Sequence, residues 1–179
     1  IIKNLDNFCK FNSNFGGHPD KNKIKGVESS TGSLGHGFPF ACGISMAKKI
    51  KKEKGKVFVL IGDGECNEGT IWETLLLASH HKLNNLVCII DKNKSTDRAL
   101  NIDDIKKKII SFNWDCIEID GHDRKNLIES IKKQKKKPLA IVAKTIKGKG
   151  VPFMENKHEW HHKKIDKSAI EKFIKYIKK

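Results

Sequence analysis

The chain predicts an α/β fold, a doubly wound and mostly parallel sheet with helices on both faces. Two observations predict it. Strand-length runs recur at Val57 to Ile61, Leu86 to Ile90, Trp114 to Ile119 and Leu139 to Ala143, and Val57 to Ile61 and Leu139 to Ala143 are apolar throughout, as in strands covered on both sides. Segments with helical spacing separate the runs, the alternation that gives parallel strands joined by crossover helices.

In chain order, residues 1 to 30 read as loop-rich, with a short helix expected near Ile1 to Phe11. Asn12-Ser-Asn-Phe-Gly-Gly-His-Pro19 is a turn-rich connection. From Thr31 to about Lys54, small residues lead into Ala41-Cys-Gly-Ile-Ser-Met-Ala47, which predicts a helix packed closely at its start and basic at its end, as the helix dipole favours. Val57 to Ile61 predicts a buried strand, and Glu68 to His81 a helix with Ile71, Leu75, Leu76 and Ala78 apolar. Leu86 to Ile90 follows as a strand, then a helix over residues 101 to 112, a strand from Trp114, a helix from Arg124 to Lys136 and the strand from Leu139. Ser168 to Lys179 predicts a short amphipathic helix carrying Ile170, Phe173, Ile174 and Ile177 on one face. At 179 residues the chain can bury one core, so a single domain over residues 1–179 is expected.

Hydrophobic residues make up 37% and charged residues 32%, the balance of a soluble globular protein. No apolar run approaches the ~20 residues that span a bilayer, and the N-terminus lacks the apolar stretch of a signal peptide, so no membrane association is expected. The chain starts without Met, and a fragment is expected. Five cysteines, an odd number without Cys-x-x-Cys spacing, read as buried thiols in a reducing, cytoplasmic compartment. The net charge is +15, yet Arg98 and Arg124 are the only arginines. Nucleic-acid readers exploit the bidentate geometry of Arg, whereas these lysines scatter over helical faces without interleaved aromatics. A solvated basic surface is expected, with no specific nucleic acid and with some attraction for anionic sugar phosphates.

The most informative stretch is Ile61-Gly-Asp-Gly-Glu-Cys-Asn-Glu-Gly-Thr70, paired with Asp91-Lys-Asn93 thirty residues after Asp63. Each segment follows an apolar run. Two strand ends separated by one crossover helix would bring the Asp63 carboxylate and the Asn93 carboxamide to one edge of a parallel sheet, where such folds bind ligands. Hard oxygen donors beside glycines suit a magnesium–diphosphate. The same residues would serve a tight strand-to-helix turn with Asn93 as a cap. Strand context at both ends, with the spacing, favours the ligand. Cys66 lies close to this site, but its soft sulfur is a poor magnesium ligand.

The pattern resembles the thiamine-diphosphate signature, and the whole set of motifs resembles transketolases, in particular the separate N-terminal subunit of split transketolases. The motifs are Gly17-His-Pro-Asp20, Gly26-Val-Glu-Ser-Ser-Thr-Gly-Ser-Leu-Gly35, Gly62-Asp-Gly-Glu-Cys-Asn-Glu-Gly69, Asp91-Lys-Asn93, Asp120-Gly-His-Asp123, Lys144-Thr-Ile-Lys-Gly-Lys-Gly-Val-Pro-Phe-Met-Glu-Asn156 and Glu159-Trp-His161. They run in the family's order from about residue 15 to 162. The resemblance implies a thiamine-diphosphate-binding fold, here its diphosphate-binding domain. It implies Asp63, Asn93 and the Ser95 carbonyl as Mg2+ ligands, with Gly64 and Glu65 at the diphosphate. Gly32, Ser33 and Leu34 would form the loop over the cofactor rings, although small residues also serve close helix packing. Glu68 matches a glutamate in a carboxylate network between subunits, and its bland alternative is a first-turn acid favoured by the helix dipole. His18 matches a histidine that hydrogen-bonds substrate oxygens, and His161 one that contacts the diphosphate. His158, His161 and His162 also have metal-ligand spacing, but without a Cys or acidic partner zinc is disfavoured.

The implied activity is transfer of a two-carbon ketol unit from a ketose phosphate to an aldose. It requires thiamine diphosphate, Mg2+ and a C-terminal, pyrimidine-binding partner subunit in an α2β2 assembly. The family also carries two histidines ahead of the position of Gly17, so an N-terminally truncated domain is expected. His36 and His162 depart from the family's Gln and Gly, and a bulky His162 is expected to disturb the loop of His161. Rival readings are a deoxyxylulose-phosphate synthase or 2-oxo-acid decarboxylase component, or a non-catalytic basic binding module.

Overall fold

Among the described residues four strands, β1 (Val57–Gly62), β2 (Leu86–Lys92), β3 (Asp115–Asp120) and β4 (Leu139–Lys144), pair in the order β1-β2-β4-β3, with every pairing parallel. The described helices include α1 (Gly37–Ile50), α2 (Gly69–His80), α3 (Ile105–Ser111), α4 (Arg124–Lys132) and α5 (Lys167–Ile177), with 3-10 turns at Asp63–Asn67 and His158–His161. The computed structural model describes residues 6–134, 136–163 and 167–177. Register aligns the strand exits: Gly62 faces Asp91, Asp91 faces Ala143, and Lys144 faces both Lys92 and Asp120. All four strands therefore leave the sheet at one edge, carrying their polar residues with them.

Alternation along the strands divides the sheet into two unequal layers. Ile61, Cys88, Ile90, Ala140 and Val142 face a large cluster built with Phe38, Ile71, Leu75, Ile105, Ile109 and Trp114. Trp114 anchors it: the indole is buried, donates from Nε1 to the Leu75 carbonyl at 2.8 Å and meets Phe38 edge to face at 5.7 Å. Truncating such a residue typically costs about 3–5 kcal/mol. On the opposite face Val87, Leu139 and Ile141 pack with Leu127 and Ile131 of α4. Helices thus lie on both faces, three of them against the larger cluster.

Several predicted boundaries shift for identifiable reasons. Of the short helix expected near Ile1 to Phe11, residues 6 and 7 are 3-10 helical and 8 to 11 form turns and a bend, while residues 1–5 lie outside the described residues. Helix α1 starts only at Gly37, because Gly32 (φ +131°) and Gly35 (φ +74°) take backbone conformations that no right-handed helix contains. The helix expected over residues 101 to 112 begins at Ile105, N-capped by Asp104, whose side chain accepts from Lys107 N. Asp123 caps α4 in the same way, and that helix stops at Lys132, short of the predicted Lys136. Just beyond it Gln134 donates to the Leu86 carbonyl at 2.7 Å.

β1 is not the buried strand expected. It lies at the sheet's edge, and Phe58 and Leu60 stand 52% and 70% exposed on the face away from the larger cluster. Near the C-terminus, Phe153 meets Trp160, Phe173 and Tyr176 at 5.6, 5.3 and 5.8 Å. This aromatic group ties the His158–His161 turn to α5. No described helix is long and apolar enough to cross a membrane.

Candidate functional site

The sheet's exit edge brings the two halves of the Asp63–Asn93 signature together. β1 ends at Gly62, and Asp63 opens the 3-10 turn, only 5% exposed. β2 ends at Lys92, one residue before Asn93. Asp63 Oδ2 accepts the Lys94 N–H at 2.6 Å, and Asn93 Oδ1 accepts the Ser95 N–H at 3.0 Å and the Ser95 hydroxyl. Successive amides of one turn therefore address the two oxygens. Lys94 holds φ at +62°, an uncommon conformation for a side-chain-bearing residue and one that is found disproportionately where function constrains the backbone. Burial pushes the Asp63 carboxyl above the ordinary carboxylate range; backbone N–H donors at Lys94 and Gly64 act against it, while Asp97 and Asp91 add to it.

The donor set fits a hard cation. A carboxylate, a carboxamide oxygen and backbone carbonyls within one turn are the ligand types Mg2+ takes, with its remaining positions open to phosphate and water. Among the described residues no group of three His, Cys, Asp or Glu could hold a metal, so any cation here would rest on this mixed oxygen set. Gly64 is packed closely: a Cβ there would sit 2.7 Å from Thr96 Cγ2, so the glycine lets the loop after Asn93 lie against the Asp63 turn. Cys66 is buried in the core, its thiol pushed up to about 12, and burial is the main cause. It takes no part in the oxygen set.

A second group forms around the loop ahead of α1. His18 lies against Gly32, where a Cβ would meet the imidazole Cγ and Cδ2 at 3.2 Å. The sequence alone did not reveal that pairing. His18, Ser33, Leu34, Phe40, Leu60 and Glu65 line a cavity of about 650 Å³. Ser33 and Leu34 are exposed, and His36 Nδ1 lies 3.1 Å from Ser33 Oγ and 2.9 Å from the Leu34 carbonyl, closing the loop on itself. His36 thus has a hydrogen-bonding place in this loop.

Glu65 lies in the 3-10 turn with Asp63 and Gly64, and its side chain reaches back to the loop ahead of α1. Both its carboxylate oxygens accept backbone N–H groups, from Gly35 at 2.9 Å and Gly62 at 3.2 Å. The side chain clamps the loop to the end of β1, which leaves its backbone as the part able to meet an anion. Glu68 is exposed at the N-cap of α2, and a Cβ on Gly35 would lie 2.7 Å from Glu68 Cβ.

His161 belongs to a third group. It is exposed on the 3-10 turn, its Nδ1 3.3 Å from Lys147 Nζ. His162 follows in extended backbone, φ −145°, with its side chain exposed. Any residue adopts that conformation, so no glycine is required there.

Residues 1–177 match the family described as transketolase, thiamine diphosphate binding domain. The chain is 39% identical to one subunit of the apulose-4-phosphate transketolase of Actinobacillus succinogenes, over 97% of this chain and 66% of that one. It is 38% identical to human transketolase, over 97% of this chain and 29% of that one. A crystal structure of transketolase from Campylobacter jejuni superposes with a TM-score of 0.86 at 32% identity, covering 96% of this chain and 29% of that one. The chain therefore spans less than two thirds of the length of these relatives. With a matching family over nearly its whole length and the same fold in a solved transketolase, the chain belongs to the transketolase thiamine-diphosphate-binding-domain family.

Proposed function

We propose that this chain forms the diphosphate-binding side of a transketolase, holding thiamine diphosphate through Mg2+ and acting with a second, pyrimidine-binding polypeptide. The single observation that carries the reading is the meeting of Asp63 with the Asn93–Ser95 turn at the shared strand exit. Asp63, Asn93 and the Ser95 carbonyl would hold the cation, and Gly64 with the Glu65 backbone would meet the diphosphate. When bound, the cofactor supplies the electron sink that carbon–carbon cleavage needs. The reaction is transfer of a two-carbon ketol unit from a ketose phosphate to an aldose.

The chain's own residues would do the positioning. His18, beside Gly32 and Ser33, would hydrogen-bond sugar oxygens at the cavity, since imidazole both donates and accepts near neutrality. Ser33 and Leu34 would border the cofactor rings. Glu68 would enter a carboxylate network with the partner, and His161 would contact the diphosphate. The Actinobacillus succinogenes relative is named as one subunit of its transketolase, which supports a partner polypeptide here, and α2β2 is the proposed assembly. The five free cysteines suit a reducing, cytoplasmic compartment.

Reconstitution tests the reading. The purified chain, free of host transketolase, is assayed alone and with a pyrimidine-binding partner, and thiamine diphosphate binding is followed by calorimetry with and without Mg2+. Magnesium-dependent binding and ketol transfer are expected only in the mixture. Turnover by the chain alone would refute partner dependence, and absence of cofactor binding in the mixture would refute the site.

A further inference from the structure

The Asp120-Gly-His-Asp123 turn and Asp91 have no task in the scheme above, yet hydrogen bonds connect them to Asn93. A carboxamide looks nearly the same in its two flipped orientations, and only one presents oxygen to a cation. Asn93 Nδ2 donates to Asp91 Oδ2 at 3.2 Å. An ionised carboxylate only accepts, so it can face the NH2 but not the oxygen. The Ser95 N–H, on the other side, can face only the oxygen. Both constraints select the same orientation.

Asp91 is itself held. Its Oδ1 accepts the hydroxyl of Thr145, which stands one residue beyond β4. Thr145 in turn is bracketed by the Asp120–Asp123 turn. Gly121 N donates to the Lys144 carbonyl at 2.8 Å, and the unprotonated His122 Nε2 accepts the Ile146 N–H at 2.9 Å. A Cβ on Gly121 would lie 2.6 Å from Thr145 Cγ2, so the methyl packs where only glycine leaves room. With the methyl seated there, the hydroxyl is directed to Asp91. The Thr145 N–H also donates to the Lys92 carbonyl at 3.1 Å, which fixes its height at the sheet edge.

We propose that Asp91 and Thr145 are positioning residues that fix the Asn93 carboxamide with its oxygen toward the cation, and that the Gly121–His122 turn holds Thr145 in the required rotamer. This inference rests on the reading of Asp63 and Asn93 as metal ligands. Groups that orient a metal ligand typically change metal affinity by about 10–100-fold when removed.

The test uses the full chain with thiamine diphosphate and a pyrimidine-binding partner, and Mn2+ as the probe, with free Mn2+ counted by electron paramagnetic resonance. Asp91→Leu should weaken Mn2+ binding by about 10–100-fold and Thr145→Val by about tenfold. Thr145→Ser, which restores the hydroxyl, should bind like the unmodified chain. Thermal melting without metal separates folding from binding, and Thr145→Val, which keeps the shape of threonine, carries the test should Asp91→Leu fail to fold. Mn2+ binding unchanged in Thr145→Val and Asp91→Leu but lost in Asp63→Ala would overturn the orienting role and leave the metal site standing. Equal losses in Thr145→Val and Thr145→Ser would overturn it too, because packing would then be the cause. Unchanged binding in Asp63→Ala would overturn the metal site and this inference with it.

Discussion

Glu65 accepts the Gly35 N–H at 2.9 Å, across thirty positions of sequence, and this contact joins the loop ahead of α1 to the end of β1. Gly35 is fixed from its other side by Thr70, whose hydroxyl donates to the Gly35 carbonyl at 2.9 Å. Glu65→Ala leaves the Gly35 and Gly62 amides without their acceptor, each at a typical cost of about 1–3 kcal/mol where water cannot replace it. Gly35→Ala meets Thr70 Oγ1 at 2.6 Å and a φ of +74°. Both variants should lower the melting temperature of the chain, and Glu65→Gln, which keeps one acceptor oxygen, should lower it less. Calorimetric melts check the order.

Asp63→Ala should abolish magnesium-dependent thiamine diphosphate binding in the reconstituted complex, with a loss exceeding about 100-fold, because it removes a ligand itself and not a group behind one. Asp63→Asn keeps an acceptor for the Lys94 amide and should retain the fold while losing charge against the cation. Calorimetry with and without Mg2+ measures the first effect, and circular dichroism the second.

The thiols divide by burial. Cys66 and Cys116 are pushed up to about 12, chiefly by burial, and Cys88 well above its usual range, whereas Cys9 is exposed. The thiolate is the nucleophile, so alkylation at pH 8 should label Cys9 and spare those three in the folded chain. Mass spectrometry after a short iodoacetamide pulse reads this. Folded thiols that hold protons more tightly than the unfolded chain also make unfolding release protons at high pH. Their stabilising contribution is complete below pH about 9 and should fall as pH rises toward 12. A Cys66→Ala, Cys116→Ala variant should lose less stability over that window than the unmodified chain.

The +15 charge is spread over lysines on helical and loop surfaces. Duplex DNA and RNA should bind weakly, without sequence preference, and dissociate near physiological salt, because such contacts depend on counterion release. Cofactor binding in the complex should survive the same salt series, since a buried coordination site is screened less. Fluorescence titration of both ligands across salt compares them directly. Sequence-selective nucleic-acid binding that persists would favour the binding-module alternative.

The sequence by itself determined the α/β alternation, the position of each strand to within two residues and the Asp63–Asn93 signature. These are local properties: apolar runs of strand length, helical spacing and glycines at a strand exit are written in neighbouring residues. The tertiary structure decided what depends on partners distant in sequence. Val57 to Ile61 reads as a buried strand, but strand order places it at an edge and exposes Leu60. Glu65 reads as a cofactor residue within its motif, and the fold adds a task for its side chain, whose carboxylate accepts from Gly35 and Gly62. The Asp120-Gly-His-Asp123 motif stood without a task until parallel pairing of β3, β4 and β2 set it beside Thr145 and, through Asp91, beside Asn93. Hydrogen-bond partners separated by 54 positions leave no periodic trace in a sequence, because register and crossover connections, not local propensity, bring them within reach.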